Sequence, residues 1–318
     1  MTHTVSHLAQ AILSAHAELA LGAPKTFKLF EPPALTNQGL PAIKNEADAE
    51  VYQAAHLASL ALDFDAVDAQ FIAHAWQAQT QRTGQFDANQ WPTEPDDFGL
   101  RHRADAEVFA PCPQQLGLYA VLPDATWVGR MARAGVPTVQ LRFKSNDAQA
   151  ITQEVRAAVE AVRGTPALLF INDHWQAAIE AGAYGVHLGQ EDLHTLTATN
   201  LGAIRSAGLR LGLSSHGYAE MLRAAAVQPS YIALGAVFAT TLKRMATPPQ
   251  GVARLTRYAQ LLRHMPTVAI GGIDLGSLAQ VLDSGVGSVA VVRALVAADQ
   301  PEVMVAAFLA QIHHNGKG

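Results

Sequence analysis

Two aspartates, Asp173 and Asp192, each follow a short apolar run within the stretch Ala167–Asp192, ALLFINDHWQAAIEAGAYGVHLGQED. The run Ala167–Ile171 has the length and composition of a buried strand and ends on Asn172 and Asp173. A helical pattern follows through Trp175, Ala178 and Ile179, and Gly182 can end it. A second run, Gly185–Leu188, ends in Gly189-Gln190-Glu191-Asp192. In a parallel strand–helix–strand unit, ligands bind at the strands' C-terminal ends. Neighbouring parallel strands lie about 4.8 Å apart, so if these two strands are neighbours the two carboxylates can reach one hard cation. Mg²⁺ suits them, because it takes one or two carboxylates plus substrate phosphate oxygens. The plainer alternative is that each Asp caps the helix after it.

Other apolar runs also end in polar groups. One ends in Gln140-Leu141-Arg142-Phe143-Lys144, where strand alternation would point Gln140, Arg142 and Lys144 the same way. Charges at a strand end need a partner. A phosphate or diphosphate supplies one; an ion pair with Asp173 or Glu191 is the alternative. Further ends are Gly212-Leu213-Ser214-Ser215-His216, Gly235 to Lys243 (GAVFATTLK), Gly271-Gly272-Ile273 and Val292-Arg293. Paired glycines let backbone amides approach a phosphate, or simply make a tight turn. The Pro- and Gly-rich loop beyond Lys243 suits a mobile cover. Two anion poles result. Arg142, Lys144, Lys243 and a metal on Asp173 and Asp192 make one. The backbone at Gly271-Gly272 and Val292-Arg293 makes the other. No nucleophile–base pair stands out, and Mg²⁺ beside basic side chains suits departure of a diphosphate.

These groups need a scaffold that gathers many strand ends. From Leu116 onward, eight apolar runs recur: Leu118–Leu122, Thr138–Leu141, Ala167–Ile171, Gly185–Leu188, Leu209–Leu213, Tyr231–Leu234, Thr267–Ile270 and Ser288–Val292. Ala-rich helical patterns separate most of them. Eight strand–helix units predict an α/β protein, a (β/α)₈ TIM barrel, over residues 113–318. A doubly wound open sheet is the alternative; no Gly-rich dinucleotide turn follows the first strand.

Residues 1–112 differ and predict a mainly α-helical N-terminal extension. Val5, Leu8, Ala9, Ile12 and Leu19 mark one helical face, with Gly22 and Pro24 as its end. Asn45 with Asp48, and Asp65 with Asp68, have helix-start spacing. Pro32, Pro33 and Pro41 lie in a connection, and Gly84–Gln115 is Pro-punctuated and aromatic. His3, His7, His16, His56, His74 and His102 are scattered, which predicts surface or satisfied core roles. The barrel pattern is complete without this part, so a chain starting near Pro113 is expected to fold and act.

Composition narrows the partners. A net charge of −5 and a pI near 6.2 give no pull toward nucleic acid or an anionic membrane. Cys112 is the only cysteine, which excludes an internal disulfide and fits a cytoplasmic setting. No basic stretch precedes an unbroken apolar core at the N-terminus, and no apolar run reaches membrane-span length, so neither a signal peptide nor a span is expected.

The segments QLRFK (140–144), IND (171–173), GVHLGQED (185–192), GLSSH (212–216), GAVFATTLK (235–243) and AIGGI (269–273) together resemble the thiamine-phosphate synthase family, over about Leu116 to His313. That family joins 4-amino-2-methyl-5-hydroxymethylpyrimidine diphosphate to a thiazole phosphate and releases diphosphate. The resemblance implies small-molecule substrates and Mg²⁺. It implies that Arg142, Lys144, Asn172 and Lys243 hold the diphosphate, and that Gln140 and Ser214 help hold the pyrimidine, in the segment containing Leu141 and Phe143. It implies Asp173 and Asp192 as metal ligands, and Thr240, Gly272 and the Val292-Arg293 backbone around the thiazole phosphate, with Thr241 and Leu242 in the same segment. Arg142, Lys144, Lys243 and Ser214 are the implied catalytic set, and the implied mechanism is dissociative. Two departures stand out: the family's Thr-x-Thr-Lys is Thr240-Thr241-Leu242-Lys243 here, and Arg293 stands where the family usually has Ser. The related thiazole tautomerases, with His216 as acid–base, and a non-catalytic thiamine-phosphate-binding scaffold are the alternatives. The complete diphosphate and metal set argues against the tautomerase. Oligomeric state carries no sequence signal.

Overall fold

The computed structural model describes residues 3–22, 45–100, 108–240 and 247–315. The chain forms two compact units. One comprises residues 1–104 together with 217–226, and the other comprises 105–216 together with 227–318.

The first unit is helical. It contains α1 (His3–Ala15), α2 (Glu46–Ala61) and α3 (Ala66–Thr83). Asn45 Oδ1 accepts the Asp48 amide at 2.9 Å, and Asp65 Oδ1 accepts those of Val67 and Asp68 at 2.9 and 2.8 Å. Both N-cap spacings thus do what side-chain oxygens do at helix starts. Gly84 ends α3 in the left-handed region, φ 79°. A 3₁₀ turn, Pro95–Phe98, follows. Arg82 clamps Asp97 with two bonds, 2.9 and 2.6 Å. The described part of the Pro-punctuated, aromatic stretch is therefore tied to α3, with Trp91 and Phe98 buried. The connection containing Pro32, Pro33 and Pro41, and His102, lie outside the described residues.

The second unit is a closed barrel in which eight parallel strands pair in sequence order and β8 returns to β1. The strands are β1 (Gly117–Leu122), β2 (Thr138–Leu141), β3 (Leu168–Asn172), β4 (Gly185–Leu188), β5 (Arg210–Ser215), β6 (Tyr231–Gly235), β7 (Thr267–Ile270) and β8 (Ser288–Val291). The helices between them are α4 (Ala125–Arg133), α5 (Ala148–Ala161), α6 (Trp175–Ala181), α7 (Gln190–Thr195) and α8 (Ala198–Ser206), then α9 (Tyr218–Ala226), α10 (Gly251–Leu261) and α11 (Leu278–Leu282). After β8 come α12 (Arg293–Val296) and α13 (Pro301–Asn315). One of these, α9, belongs by contact to the helical unit although it joins β5 to β6 in the chain. Tyr119, Phe170, Tyr231, Ala233, Val268 and Ala290 fill the barrel core with Leu116. No helix among the described residues is long and apolar enough to cross a membrane.

One sequence expectation needs correction here. Gln140, Arg142 and Lys144 do not continue one strand face. β2 stops at Leu141, so Gln140 is buried in the barrel, Arg142 is half-buried and Lys144 is exposed. Alternation holds only while the backbone stays in the sheet.

Candidate active site

The C-terminal ends of β2, β3 and β4 bring the cation and the carboxylates together. Lys144 Nζ donates to Asp173 Oδ2 at 2.6 Å. Asp173 sits at φ 65°, a left-handed conformation uncommon for a residue with a side chain. Its amide donates to the His187 carbonyl at 3.0 Å, which ties the turn to β4. Asp173 does not cap α6; the N-cap position there is His174. His174 Nε2 lies 3.1 Å from the Phe143 carbonyl and holds the β2 end against this turn.

Asp192 has a dual position. Its Oδ2 accepts the Gly189 amide at 2.9 Å, so it does serve the start of α7. Burial raises its pKa, and the negative charge of Asp173 beside it adds to the rise. Two facing carboxylates in a half-buried place repel each other, and a cation beside them offsets that repulsion. Lys144 provides one positive charge to the pair. A divalent ion fits the same demand. Among the described residues no group of three or more His, Cys, Asp or Glu side chains is arranged to hold a metal. A cation at Asp173 and Asp192 would therefore draw further oxygens from a substrate or water, as Mg²⁺ does.

Deeper in the barrel, five side-chain hydrogen bonds form one continuous chain. Gln140 Nε2 donates to Asn172 Oδ1 at 2.9 Å, and Gln140 Oε1 accepts from the Tyr119 hydroxyl at 2.8 Å. The Tyr119 and Tyr231 hydroxyls are 2.7 Å apart, Tyr231 lies 2.7 Å from His187 Nδ1, and His187 Nε2 lies 2.8 Å from Ser214 Oγ. Proton counting sets the direction. Burial raises the pKa of both tyrosines and lowers that of His187 to about 4, so each tyrosine keeps its one proton and the imidazole is neutral. Tyr119 spends its proton on Gln140 and must accept from Tyr231. Tyr231 must then accept from His187 Nδ1–H. His187 Nε2 is left as an acceptor, so Ser214 Oγ donates to it. The unspent lone pair of Ser214 Oγ is left to receive an N–H.

The register explains why this chain can close. Asn172 pairs with His187 and His187 with Gly212 across β3, β4 and β5. A Cβ on Gly212 would stand 2.1 Å from Tyr231 Cζ, so only glycine leaves room for the ring that reaches His187. Gln190 Nε2 donates to the Ser214 carbonyl at 2.6 Å and fixes that strand end. Sequence reasoning selected Gln140, Asn172 and Ser214 but missed Tyr119, His187 and Tyr231. The signal for His187 was present, two residues before Gly189 on an inward strand position. Tyr119 and Tyr231 read as ordinary core aromatics.

The opposite pole is mostly backbone. Gly271 and Gly272 have φ of 105° and 65°. Cβ atoms there would lie 2.6 Å from Ala236 Cα and 2.6 Å from the Ala239 carbonyl, respectively. Glycine thus permits the β7 end to pack against the segment after β6, where Thr240 lies. Val292 precedes α12, and Arg293 is exposed and makes no ion pair among the described residues. Thr241, Leu242 and Lys243 lie outside the described residues.

The profile of the family described as thiamine monophosphate synthase matches residues 118–295, which contain all of the side chains above. The chain belongs to this family. Among its curated relatives, thiamine-phosphate synthase from Neisseria gonorrhoeae (strain ATCC 700825 / FA 1090) is 54% identical over 202 residues, 64% of this chain and 97% of that protein. The same-named protein of Serratia proteamaculans (strain 568) is 52% identical over 190 residues, covering 60% of this chain and 88% of its own length. Among solved structures, thiamine phosphate pyrophosphorylase from Pyrococcus furiosus is similar with a TM-score of 0.55 and 26% identity, over 64% of this chain and 98% of that one. The family match begins at residue 118, so the helical part before it lies outside this likeness.

Proposed function

We propose that the barrel couples the pyrimidine diphosphate to a thiazole phosphate in a Mg²⁺-assisted reaction, with Asp173 and Asp192 holding the ion. The chain is a transferase of the thiamine-phosphate synthase type, acting on small molecules. The facing Asp173 and Asp192 carboxylates, with Lys144 Nζ 2.6 Å from one of them, carry the assignment of the diphosphate end. Mg²⁺ bound there supplies Lewis-acid stabilisation of the leaving diphosphate.

The chain's own residues do the rest. Lys144 can exchange Asp173 for a diphosphate oxygen, and Arg142, half-buried beside it in sequence, brings a second cation. As the bond from the pyrimidine methylene carbon to the diphosphate oxygen breaks, the electron pair leaves with the oxygen, and these charges stabilise it. Lys243 joins them by family likeness. Gln140 and Ser214 hold the pyrimidine, with Leu141 and Phe143 in the same segment; the free Ser214 lone pair accepts an N–H of the ring's amino group. The thiazole nitrogen then forms the new C–N bond with its lone pair. Thr240, Gly272 and the Val292-Arg293 backbone hold the thiazole phosphate, with Thr241 and Leu242 nearby in sequence. The reaction belongs in the cytoplasm, a setting that the single free cysteine fits.

The residues up to 112 are a separate helical extension in this reading, and those from 113 the catalytic barrel. The test is direct. Purified full chain with both substrates and Mg²⁺ should form thiamine phosphate and diphosphate, and a chelator should stop it. Binding of both substrates without product would instead support a scaffold.

A further inference from the structure

Within the helical unit, one carboxylate grips the start of a helix that is not its own. Gly217 occupies the N-cap position of α9, because its carbonyl accepts the Met221 amide at 3.0 Å. Glycine has no side chain to cap the free amides that follow. Asp68, near the start of α3, supplies the missing acceptor. Its Oδ2 accepts the Tyr218 amide at 3.0 Å and its Oδ1 the Ala219 amide at 2.8 Å. Asp68 is buried, so the bonds are shielded from water. A carboxylate on a helix N-terminus is also favoured by the helix dipole. A Cβ at Gly217 would stand 2.3 Å from Asp68 Oδ2, so the glycine admits the carboxylate.

Aromatic side chains repeat the grip one residue on. Trp91 Nε1 donates to the Tyr218 hydroxyl at 2.9 Å. Phe98 stacks on the Tyr218 ring with centroids 5.0 Å apart and planes 3° from parallel, and Phe64 lies at 6.0 Å. Asp68, Trp91, Phe98 and Phe64 all come from residues before the barrel, and all converge on the first two residues of α9.

Along the chain, Gly217 follows Ser214 by only three residues, a tether of roughly 10 Å at full stretch. Ser214 is held from the barrel side by Gln190 and His187. We propose that the N-terminal helical extension, acting through Asp68 and the Trp91–Tyr218 clamp, positions the β5–α9 turn and with it the Ser214 hydroxyl for the pyrimidine substrate. Asp68 is then a positioning residue, and the extension is a working part of the synthase. The proposal rests on the assignment of Ser214 to the pyrimidine made above.

The experiment uses the full chain carrying Asp68→Ala, Asp68→Asn or no change. Steady-state kinetics are run for both substrates, and amide hydrogen exchange is followed over residues 214–219. Asp68→Ala should raise the KM for the pyrimidine diphosphate by about 5–10-fold and leave that for the thiazole phosphate unchanged. Exchange should quicken in residues 215–219 and stay slow in α2. Asp68→Asn keeps one acceptor oxygen and should recover part of both effects. An unchanged pyrimidine KM, or equal shifts for both substrates with exchange raised throughout the unit, would overturn the positioning role. If Asp68→Ala does not accumulate folded, Tyr218→Phe keeps the ring, removes the hydroxyl that accepts from Trp91 Nε1, and should give the same selective pattern at about 2–3-fold. Failure of the wild type to form thiamine phosphate would sink the assigned reaction, while the exchange data would still decide whether Asp68 holds the turn.

Discussion

The Tyr231 hydroxyl stands 2.7 Å from His187 Nδ1 and 2.7 Å from the Tyr119 hydroxyl, so this one oxygen couples the histidine of β4 to the amide pair on β2 and β3. Because it accepts from one side and donates to the other, it selects which imidazole nitrogen carries the proton. Tyr231→Phe removes that selector and leaves His187 Nδ1–H without an acceptor. The buried, unpaired group should cost about 1–3 kcal/mol of stability. Freed of the constraint, His187 can turn its protonated nitrogen toward Ser214 and occupy the lone pair meant for substrate. Urea unfolding and kinetics would check this: the pyrimidine KM should rise and the thiazole-phosphate KM should not. Equal effects on both would mean the chain only supports the barrel.

Asp173 tests the metal assignment. Asp173→Asn should leave the fold intact, since the left-handed turn tolerates Asn. Its kcat should fall by at least ~100-fold, the scale of losing electrostatic stabilisation of a leaving group. Added Mg²⁺ at higher concentration should recover part of the loss. Full activity of the wild type in chelator would remove the metal from the mechanism.

The barrel and much of its site were legible because strand ends announce themselves through local composition. Asn172, Asp173 and Asp192 could be placed by counting from apolar runs. The chain through Tyr119, His187 and Tyr231 was not legible, since it links residues more than a hundred positions apart by side-chain reach alone. The shared face expected for Gln140, Arg142 and Lys144 fails because β2 ends at Leu141, one residue short of Arg142 and three short of Lys144. The place of α9 was hidden for a related reason: its capping residue, Asp68, lies 150 positions away from Tyr218.

That arrangement changes what truncation should do. The sequence pattern alone predicts an active protein starting near Pro113. Such a chain would present α9 with no acceptor from Asp68 and no Trp91, Phe98 or Phe64 against Tyr218. Its buried tyrosine would face water with its aromatic neighbours gone. We expect lower solubility and a pyrimidine KM raised at least as far as in Asp68→Ala. A soluble truncated chain with full-chain kinetics would show the helical unit to be dispensable.

Arg293 is exposed at the start of α12, in a segment the family match includes. A guanidinium there makes stronger phosphate bonds than a hydroxyl. Arg293→Ser should raise the thiazole-phosphate KM at a cost of roughly 1.5–3 kcal/mol, as for a hydrogen bond to a charged group. Adding Leu242→Thr should recover part of it. Measurement of both KM values in the single and double variants decides the matter; independent effects would rule out compensation.

Acid sensitivity should arise in the helical unit from His74. It is 1% exposed, and neither ring nitrogen has a hydrogen-bond partner among the described residues. The Tyr52 ring lies 4.8 Å away, and beyond it His56, whose pKa burial also lowers. Burial lowers the pKa of His74 from 6.5 to about 4. The folded value is thus below the unfolded one, and the imidazole stays neutral while the unfolded chain takes up a proton. Stability is fully present above pH 6.5 and declines as pH falls from 6.5 toward 4, then levels off. At pH 5 the loss from this residue alone should be about 2 kcal/mol, at about 1.4 kcal/mol per pH unit below the unfolded value. His74→Leu should remove that share of the slope. It should also stabilise the unit at pH 7.5, because two unpaired buried nitrogens disappear. Hydrogen-exchange protection of α2 and α3, measured at pH 5 and 7.5 and corrected for intrinsic rates, reads the unit directly. If wild type and His74→Leu lose the same protection between those pH values, His74 is not the group whose protonation opens the unit.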